Sequence, residues 1–174
     1  PDGETKLRLP PHLPGRVVIL RSLDRPNDKL VELLLTARTA RQLGARYLTL
    51  VAPYLAYMRQ DIAFHPGEAV SQRVVGAFLA DLFNAVVTVD PHLHRVATLH
   101  EAVPTHTAIA LSAAPLLGDL AAQHCQRPIL VAPDEEAEQW LVAAAKPHGF
   151  EHAVCRKLRH GDTEVEIQLP PIEV

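Results

Sequence analysis

The stretch that decides the fold runs Tyr47-Leu48-Thr49-Leu50-Val51-Ala52-Pro53-Tyr54-Leu55-Ala56-Tyr57-Met58-Arg59-Gln60-Asp61. Its first six residues form an apolar run of the length of a buried strand. The polar tail therefore sits at that strand's carboxyl end, where open α/β sheets bind their ligands. Arg59 offers a fixed cation, Gln60 an amide able to read a base edge, and Asp61 a carboxylate. That set suits a nucleoside polyphosphate better than an apolar metabolite.

Outward from this stretch, apolar runs alternate with helical patterns. The strand candidates are Arg16–Leu20, Tyr47–Ala52 and residues 85–90, 128–133 and 152–155. Between the first two, Leu30, Leu33, Leu34, Ala37 and Ala40 follow i, i+3, i+4 spacing and predict a helix over 27–43. Asn27 or Asp28 can cap its start, and Gly44 can stop it. Further helices are expected over 69–83, with Val70, Val74, Ala77, Phe78 and Leu82 on one side, over 112–124 and over 135–145. Strand–helix–strand repetition argues for an α/β fold with a doubly wound parallel sheet. Residues 62–68 hold a Pro and a Gly between a strand tail and a helix, and read as a mobile loop over the strand ends. Residues 163–169 alternate Val165, Ile167 and Leu169 with Glu164, Glu166 and Gln168, the pattern of a half-exposed strand in a hairpin or at an edge. His160-Gly161-Asp162 supplies the turn before it. A join near 124–128 divides the chain into domains at 1–125 and 126–174.

Composition narrows the function classes. At 174 residues the chain can bury roughly 70% of its unfolded surface. Apolar residues make up 48% and charged residues 21%, an ordinary globular balance. A net charge of −3 gives no general affinity for nucleic acid, so an anionic ligand must be held by local Lys and Arg. Cys125 and Cys155 are too few for a secreted disulfide scaffold and read as free thiols of a cytoplasmic protein. No apolar stretch reaches the roughly 18 residues of a membrane span.

Three further segments could carry chemistry. Thr88-Val89-Asp90-Pro91-His92-Leu93-His94 places a carboxylate and two imidazoles at a strand's carboxyl end. There, Asp90 and His92 could hold Mg²⁺ on a triphosphate. Alternatively, His92 and His94 could be the paired ligands of a metal-dependent hydrolase, although that barrel needs roughly 250 residues. In Arg156-Lys157-Leu158-Arg159-His160, Lys157 and Arg159 are two apart, so on extended backbone both point to one side. Two cations aimed at one point suit a transferring phosphoryl group. Asp134, ending the run Ala132-Pro133-Asp134, is either a metal ligand or the cap of the following helix.

Taken in order, these segments resemble the ribose-phosphate diphosphokinase (phosphoribosyl pyrophosphate synthetase) family. The resemblance rests on Pro1-Asp2-Gly3-Glu4, on Arg25-Pro26-Asn27-Asp28-Lys29-Leu30-Val31-Glu32-Leu33-Leu34 and on the Pro53 to Asp61 tail. It rests equally on Thr88-Val89-Asp90-Pro91-His92, on Ala132-Pro133-Asp134 and on Arg156-Lys157-Leu158-Arg159. It implies a phosphoribosyltransferase-like fold, with one full N-terminal, ATP-binding unit and part of a second. It also implies transfer of the diphosphoryl group of ATP to ribose 5-phosphate, giving phosphoribosyl pyrophosphate and AMP, with Mg²⁺ required. Carried over, Lys157 and Arg159 are catalytic, and Asp2, Glu4, Arg59 and Gln60 contact ATP, Asp2 and Glu4 from a neighbouring subunit. His92, Asp90 and Asp134 serve the metal. A cytoplasmic homo-oligomer is implied, with no nucleic-acid or membrane partner.

The sequence departs from the family pattern in four places. The family's first strand is expected before Pro1, and its paired-Asp, Thr-Gly sugar-phosphate loop after Val174, so the chain reads as truncated at both ends. Glu135-Glu136-Ala137-Glu138 stands where the family has a Gly pair, and residues 62–68 lack Lys and Arg where the family loop is basic. These departures raise the alternative of a non-catalytic regulatory relative that binds nucleotide.

Overall fold

The computed structural model describes residues 2–159 and 165–171. Two compact units are formed, Pro1–Leu111 and Ser112–Val174. The expected join lies at residue 125, whereas the observed contacts divide the chain after Leu111.

The first unit is a parallel sheet with helical crossovers. Strands β1 (Arg16–Leu20), β2 (Tyr47–Ala52), β3 (Ala85–Val89) and β4 (Thr107–Leu111) lie side by side in the order β1-β2-β3-β4. Every pairing is parallel, with Arg16 opposite Tyr47, Thr49 opposite Ala85 and Ala85 opposite Thr107. The three crossovers carry helices α1 (Pro26–Gln42), α2 (Ser71–Leu82) and the single turn α3 (Leu99–Ala102). One sheet face buries Leu48, Leu50, Ala52 and Val86 against Leu33, Ala37, Ala40 and Leu79 of the helices. Val18, Leu20, Ile109 and Leu111 are exposed.

Strands β1, β2 and β3 fall where the apolar runs place them, except that Asp90 lies outside β3 with a φ of 41°. Helix α1 forms as its spacing predicts and buries Leu33, Ala37 and Ala40. Gly44 takes a φ of 108° beyond its end, a conformation without cost for glycine. The capping expectation is corrected: Arg25 occupies the cap position at a φ of 49°, Pro26 opens the helix, and no side chain caps it. Asn27 is engaged elsewhere, as its Oδ1 accepts from the Tyr57 hydroxyl. In α2 the buried face carries Gln72, Val75, Gly76, Leu79 and Leu82, while Val74 is exposed. The expected stripe was therefore rotated. Gly76 explains the true one: a Cβ there would lie 1.7 Å from the Ala102 carbonyl oxygen, so only glycine admits this approach of α2 to α3. Strand β4 and helix α3 are additions to the sequence reading. Helix α3 opens with a capping box, in which the backbone N–H and hydroxyl of Thr98 donate to Glu101.

The second unit holds α4 (Ala114–His124), β5 (Ile129–Ala132), a 3-10 turn (Glu135–Ala137), α5 (Glu138–Ala145), β6 (Glu151–Val154), β7 (Arg156–Arg159) and β8 (Val165–Gln168). Strands β5 and β6 are parallel, with Ile129 opposite Glu151. Strands β7 and β8 form the expected hairpin, antiparallel, with Lys157 opposite Ile167. The predicted turn at His160-Gly161-Asp162 lies outside the described residues. Helices α4 and α5 meet at Gly118, where a Cβ would stand 2.1 Å from the Ala144 carbonyl oxygen. Among the described residues, no helix is long and apolar enough to cross a membrane. Cys125 is exposed and Cys155 buried, and both are free thiols.

Candidate functional site

In the first unit the chemistry gathers at the carboxyl ends of the strands. Parallel strands deliver all their tails to one edge, and three backbone bonds continue the ladder there. Val89 N–H donates to Pro53 O at 3.3 Å, Asp90 N–H to Leu111 O at 2.8 Å and Leu23 N–H to Tyr54 O at 2.9 Å. Arg25, Tyr57 and Asp90 have positive φ values of 49°, 64° and 41°, and each lies just beyond the end of β1, β2 or β3. Such backbone costs about 1–3 kcal/mol per residue and persists only where packing over-determines it. Here the packing is evident: Leu55, Ala56 and Met58 are buried around Tyr57, and the Tyr57 hydroxyl reaches Asn27.

The Arg-Gln-Asp tail is held from two sides. Arg59 and Gln60 are exposed. The first turn of α2 grips their backbone. Gln72 N–H donates to Gln60 O at 3.1 Å, the buried Gln72 amide donates to Met58 O at 3.1 Å, and the Ser71 hydroxyl donates to Gln60 Oε1 at 2.6 Å. Asp61 differs from the sequence expectation of a ligand-facing carboxylate. Its side chain is only 5% exposed, and Arg95 Nη1 stands 3.4 and 3.5 Å from its two oxygens. Ser71, Gln72 and Arg95 were not among the residues singled out from sequence. Gln72 had a readable signal, a polar residue at i of an i, i+3, i+7 stripe completed by Val75 and Leu79.

The loop after Asp61 is folded on itself. Glu68 Oε2 accepts from Phe64 N–H at 2.8 Å and His65 N–H at 3.1 Å, and His65 Nδ1 stands 2.7 Å from Glu68 Oε1. The His65 contact first, and then the two amides, hold the Glu68 carboxyl below its ordinary value. Phe64 is left largely exposed.

Beyond β3, the His92 and His94 rings meet edge to face with centroids 3.8 Å apart. Among the described residues, no group of three or more His, Cys, Asp or Glu is placed to hold a metal ion. A catalytic zinc takes three protein ligands, so the hydrolase reading of His92 and His94 finds no support here. Magnesium is held differently, by one or two carboxylates plus substrate phosphates. Asp90 stands at the end of β3 with a φ of 41°. At the amino end, Asp2 and Glu4 are exposed, and Glu4 N–H donates to Asp2 Oδ1 at 3.1 Å.

In the second unit, β5 and β6 run parallel, so the segments following them emerge at one edge. Asp134 comes two residues after β5, and Lys157 three after β6. They meet, with Lys157 Nζ 3.5 Å from Asp134 Oδ2, beside a cavity of about 450 Å³ lined by Asp134, Glu135, Glu136, Arg156 and Lys157. Of the two sequence readings of Asp134, the cap is the one observed: Oδ1 caps the 3-10 turn, accepting from Ala137 N–H at 3.2 Å, while Oδ2 faces Lys157. Arg159 closes β7 opposite Val165. The expectation that its side chain shares a face with Lys157 lies outside the described residues.

This arrangement, a parallel sheet with its polar segments at the strand ends, defines the class: an α/β protein whose polar groups gather at the carboxyl edge of the sheet. Residues 1–82 match the family model for the N-terminal domain of ribose phosphate pyrophosphokinase. Over its whole length the chain is 37% identical to a ribose-phosphate pyrophosphokinase of Methanopyrus kandleri and covers 60% of that protein. A Saccharolobus solfataricus protein of the same name is 45% identical over 53% of the chain, which amounts to 33% of that relative. The crystal structure of phosphoribosylpyrophosphate synthetase from Mycobacterium smegmatis superposes with a TM-score of 0.71 at 22% identity, covering 86% of this chain and 49% of that one. The chain spans about 60% of the length of the first of these relatives.

Proposed function

We propose that this chain forms the ATP-binding unit and part of the sugar-phosphate unit of a ribose-phosphate diphosphokinase. The observation that carries the reading is the likeness to ribose-phosphate pyrophosphokinase along the entire chain, including the segments that bear Lys157 and Gln60. The reaction is an in-line displacement. The C1 hydroxyl oxygen of ribose 5-phosphate attacks the β-phosphorus of ATP, and the bond from that phosphorus to the α–β bridging oxygen breaks. AMP leaves carrying that oxygen, and the hydroxyl proton is lost to solvent. Phosphoryl transfer depends on positioning and charge stabilisation, and the residues divide between those tasks. Arg59 and Gln60 orient the nucleotide on the frame built by Ser71 and Gln72. Asp2 and Glu4 reach the adenine bound to a neighbouring copy. Lys157 and Arg159 neutralise the charge of the transferring group, with Asp134 holding Lys157 in place until substrate arrives. Magnesium would offset the polyphosphate charge; Asp90 and His92 in the first unit, and separately Asp134 in the second, are the groups that would serve it.

The first unit is then the nucleotide-binding domain and the second a partial phosphoribosyltransferase-like domain, within a cytoplasmic homo-oligomer. The full-length protein should make AMP from ATP only when ribose 5-phosphate and Mg²⁺ are both present. Lys157→Ala should lower kcat by about 10²-fold or more while leaving ATP binding nearly intact. Unchanged kcat would remove Lys157 from the mechanism.

One observation favours a second reading. Glu135 and Glu136 line the same cavity as Lys157 and oppose a second phosphate there. A regulatory relative that binds ATP without consuming it would show calorimetric binding and no AMP.

A further inference from the structure

Two loops of the first unit carry the nucleotide and metal candidates, and an ion pair joins them. Arg59 and Gln60 lie after β2, while Asp90 and His92 lie after β3. Asp61 ends the first tail, and Arg95 follows the second by one residue after His94. The Asp61 carboxylate is nearly buried, with its side chain 5% exposed, and Arg95 Nη1 stands 3.4 Å from one of its oxygens and 3.5 Å from the other. A carboxylate removed from water needs a cationic or hydrogen-bonding partner to remain ionised. Arg95, half in solvent at 55% side-chain exposure, meets that need without its own full desolvation.

We propose that Arg95 is a positioning residue that fixes the β2 tail to the β3 tail through Asp61, so that nucleotide binding and divalent-cation binding are energetically coupled. The neighbouring contacts make this a lever. Gln60 is held from the α2 side by Ser71 and Gln72, and Asp61 from the β3 side by Arg95. With both anchors in place, a shift of the β3 tail on cation binding must be felt at Arg59 and Gln60. With Arg95 gone, Gln60 keeps its anchors on α2, while Asp61 loses its ion pair to the β3 side. The coupling rests on the nucleotide reading given above, and reciprocity requires that each ligand raise the other's affinity by the same factor.

The test has two independent arms on the full chain. In the first, amide hydrogen exchange without ligand compares wild type with Arg95→Ala and Arg95→Lys. Arg95→Ala should speed exchange at residues 60–64 by about tenfold or more, and Arg95→Lys should restore most of the protection. Unchanged exchange at 60–64, or loss confined to 91–98, would overturn the positioning role. In the second, ATP affinity is measured by calorimetry with and without MgCl₂. Arg95→Ala should erase most of a Mg²⁺ enhancement of about tenfold, within the usual span of coupling factors, and leave Mg²⁺-free binding unchanged. An equal loss with and without Mg²⁺ would overturn the coupling. A wild type that binds no ATP in either buffer, yet shows the Arg95-dependent exchange, would sink the nucleotide reading while upholding the tether.

Discussion

Gly76→Ala in α2 sets two physical effects of opposite sign against each other. Helix propensity favours alanine by about 1 kcal/mol at a helix interior. The added methyl, however, would stand 1.7 Å from the Ala102 carbonyl oxygen and 2.9 Å from its carbon. An uncrowded contact needs roughly 1.5 Å more. The obstacle is backbone at the end of α3, not a side chain that can swing away. Overpacking costs about 1–3 kcal/mol, and a backbone obstacle places this case at or above the upper figure. A net loss of about 2 kcal/mol is expected, and a Tm lower by roughly 8 °C at about 4 °C per kcal/mol for a unit of this size. Far-UV circular dichroism during thermal unfolding measures it. Ala77→Gly, one residue on and exposed, isolates propensity alone and should cost about 1 kcal/mol. If Gly76→Ala unfolds at or above the wild-type temperature, α2 and α3 are not packed as described.

Gly118→Ala should act in the same way on the second unit, since its Cβ would meet the Ala144 carbonyl oxygen at 2.1 Å. The sole tryptophan, Trp140, lies on the same helix as Ala144, so its fluorescence transition should shift down by several degrees. Thr88→Val tests a buried hydroxyl that has no hydrogen-bond partner among the described residues. An isosteric methyl removes that desolvation cost, and stability should rise by about 1 kcal/mol in denaturant unfolding; a clear loss would reveal a partner. The Glu68 turn should respond to acid. The folded carboxyl titrates below its unfolded value, so its support is complete above the ordinary carboxylate range and fades as pH falls through the folded value. The Phe64 and His65 amide resonances should move together on that titration, and Glu68→Gln should abolish the movement.

Much of this architecture was legible before any coordinates. Apolar runs gave β1, β2 and β3 because parallel strands, buried on at least one face, read as continuous hydrophobic segments. Strand β4 escaped because two of the five residues of Thr107-Ala108-Ile109-Ala110-Leu111 are alanine, which carries little strand signal. Helix α3 announced itself only through the Thr98…Glu101 box, which was overlooked. The face of α2 was misjudged because counting apolar residues favours Val74 over Gly76, while the packing is set by the closest backbone approach. At the site, the positions of Arg59, Gln60, Asp134 and Lys157 relative to strand ends followed from the sequence pattern. The partners of Asp61 and Gln60 did not, because Arg95 and Ser71 are brought in by tertiary structure from 34 and 11 residues away.

The pairing of Arg16 with Tyr47 and of Thr49 with Ala85 has a kinetic corollary. These two rungs join residues 31 and 36 positions apart, so a strand cannot zip onto its neighbour until an intervening helix has condensed and shortened the gap. Non-local closure of this kind is slow, whereas the local β7–β8 pairing closes over a few residues. On refolding from denaturant, helical signal should therefore precede burial of Leu48 and Leu50, and the ligand-facing tails, which depend on adjacent strands already being in register, should be the last to take shape.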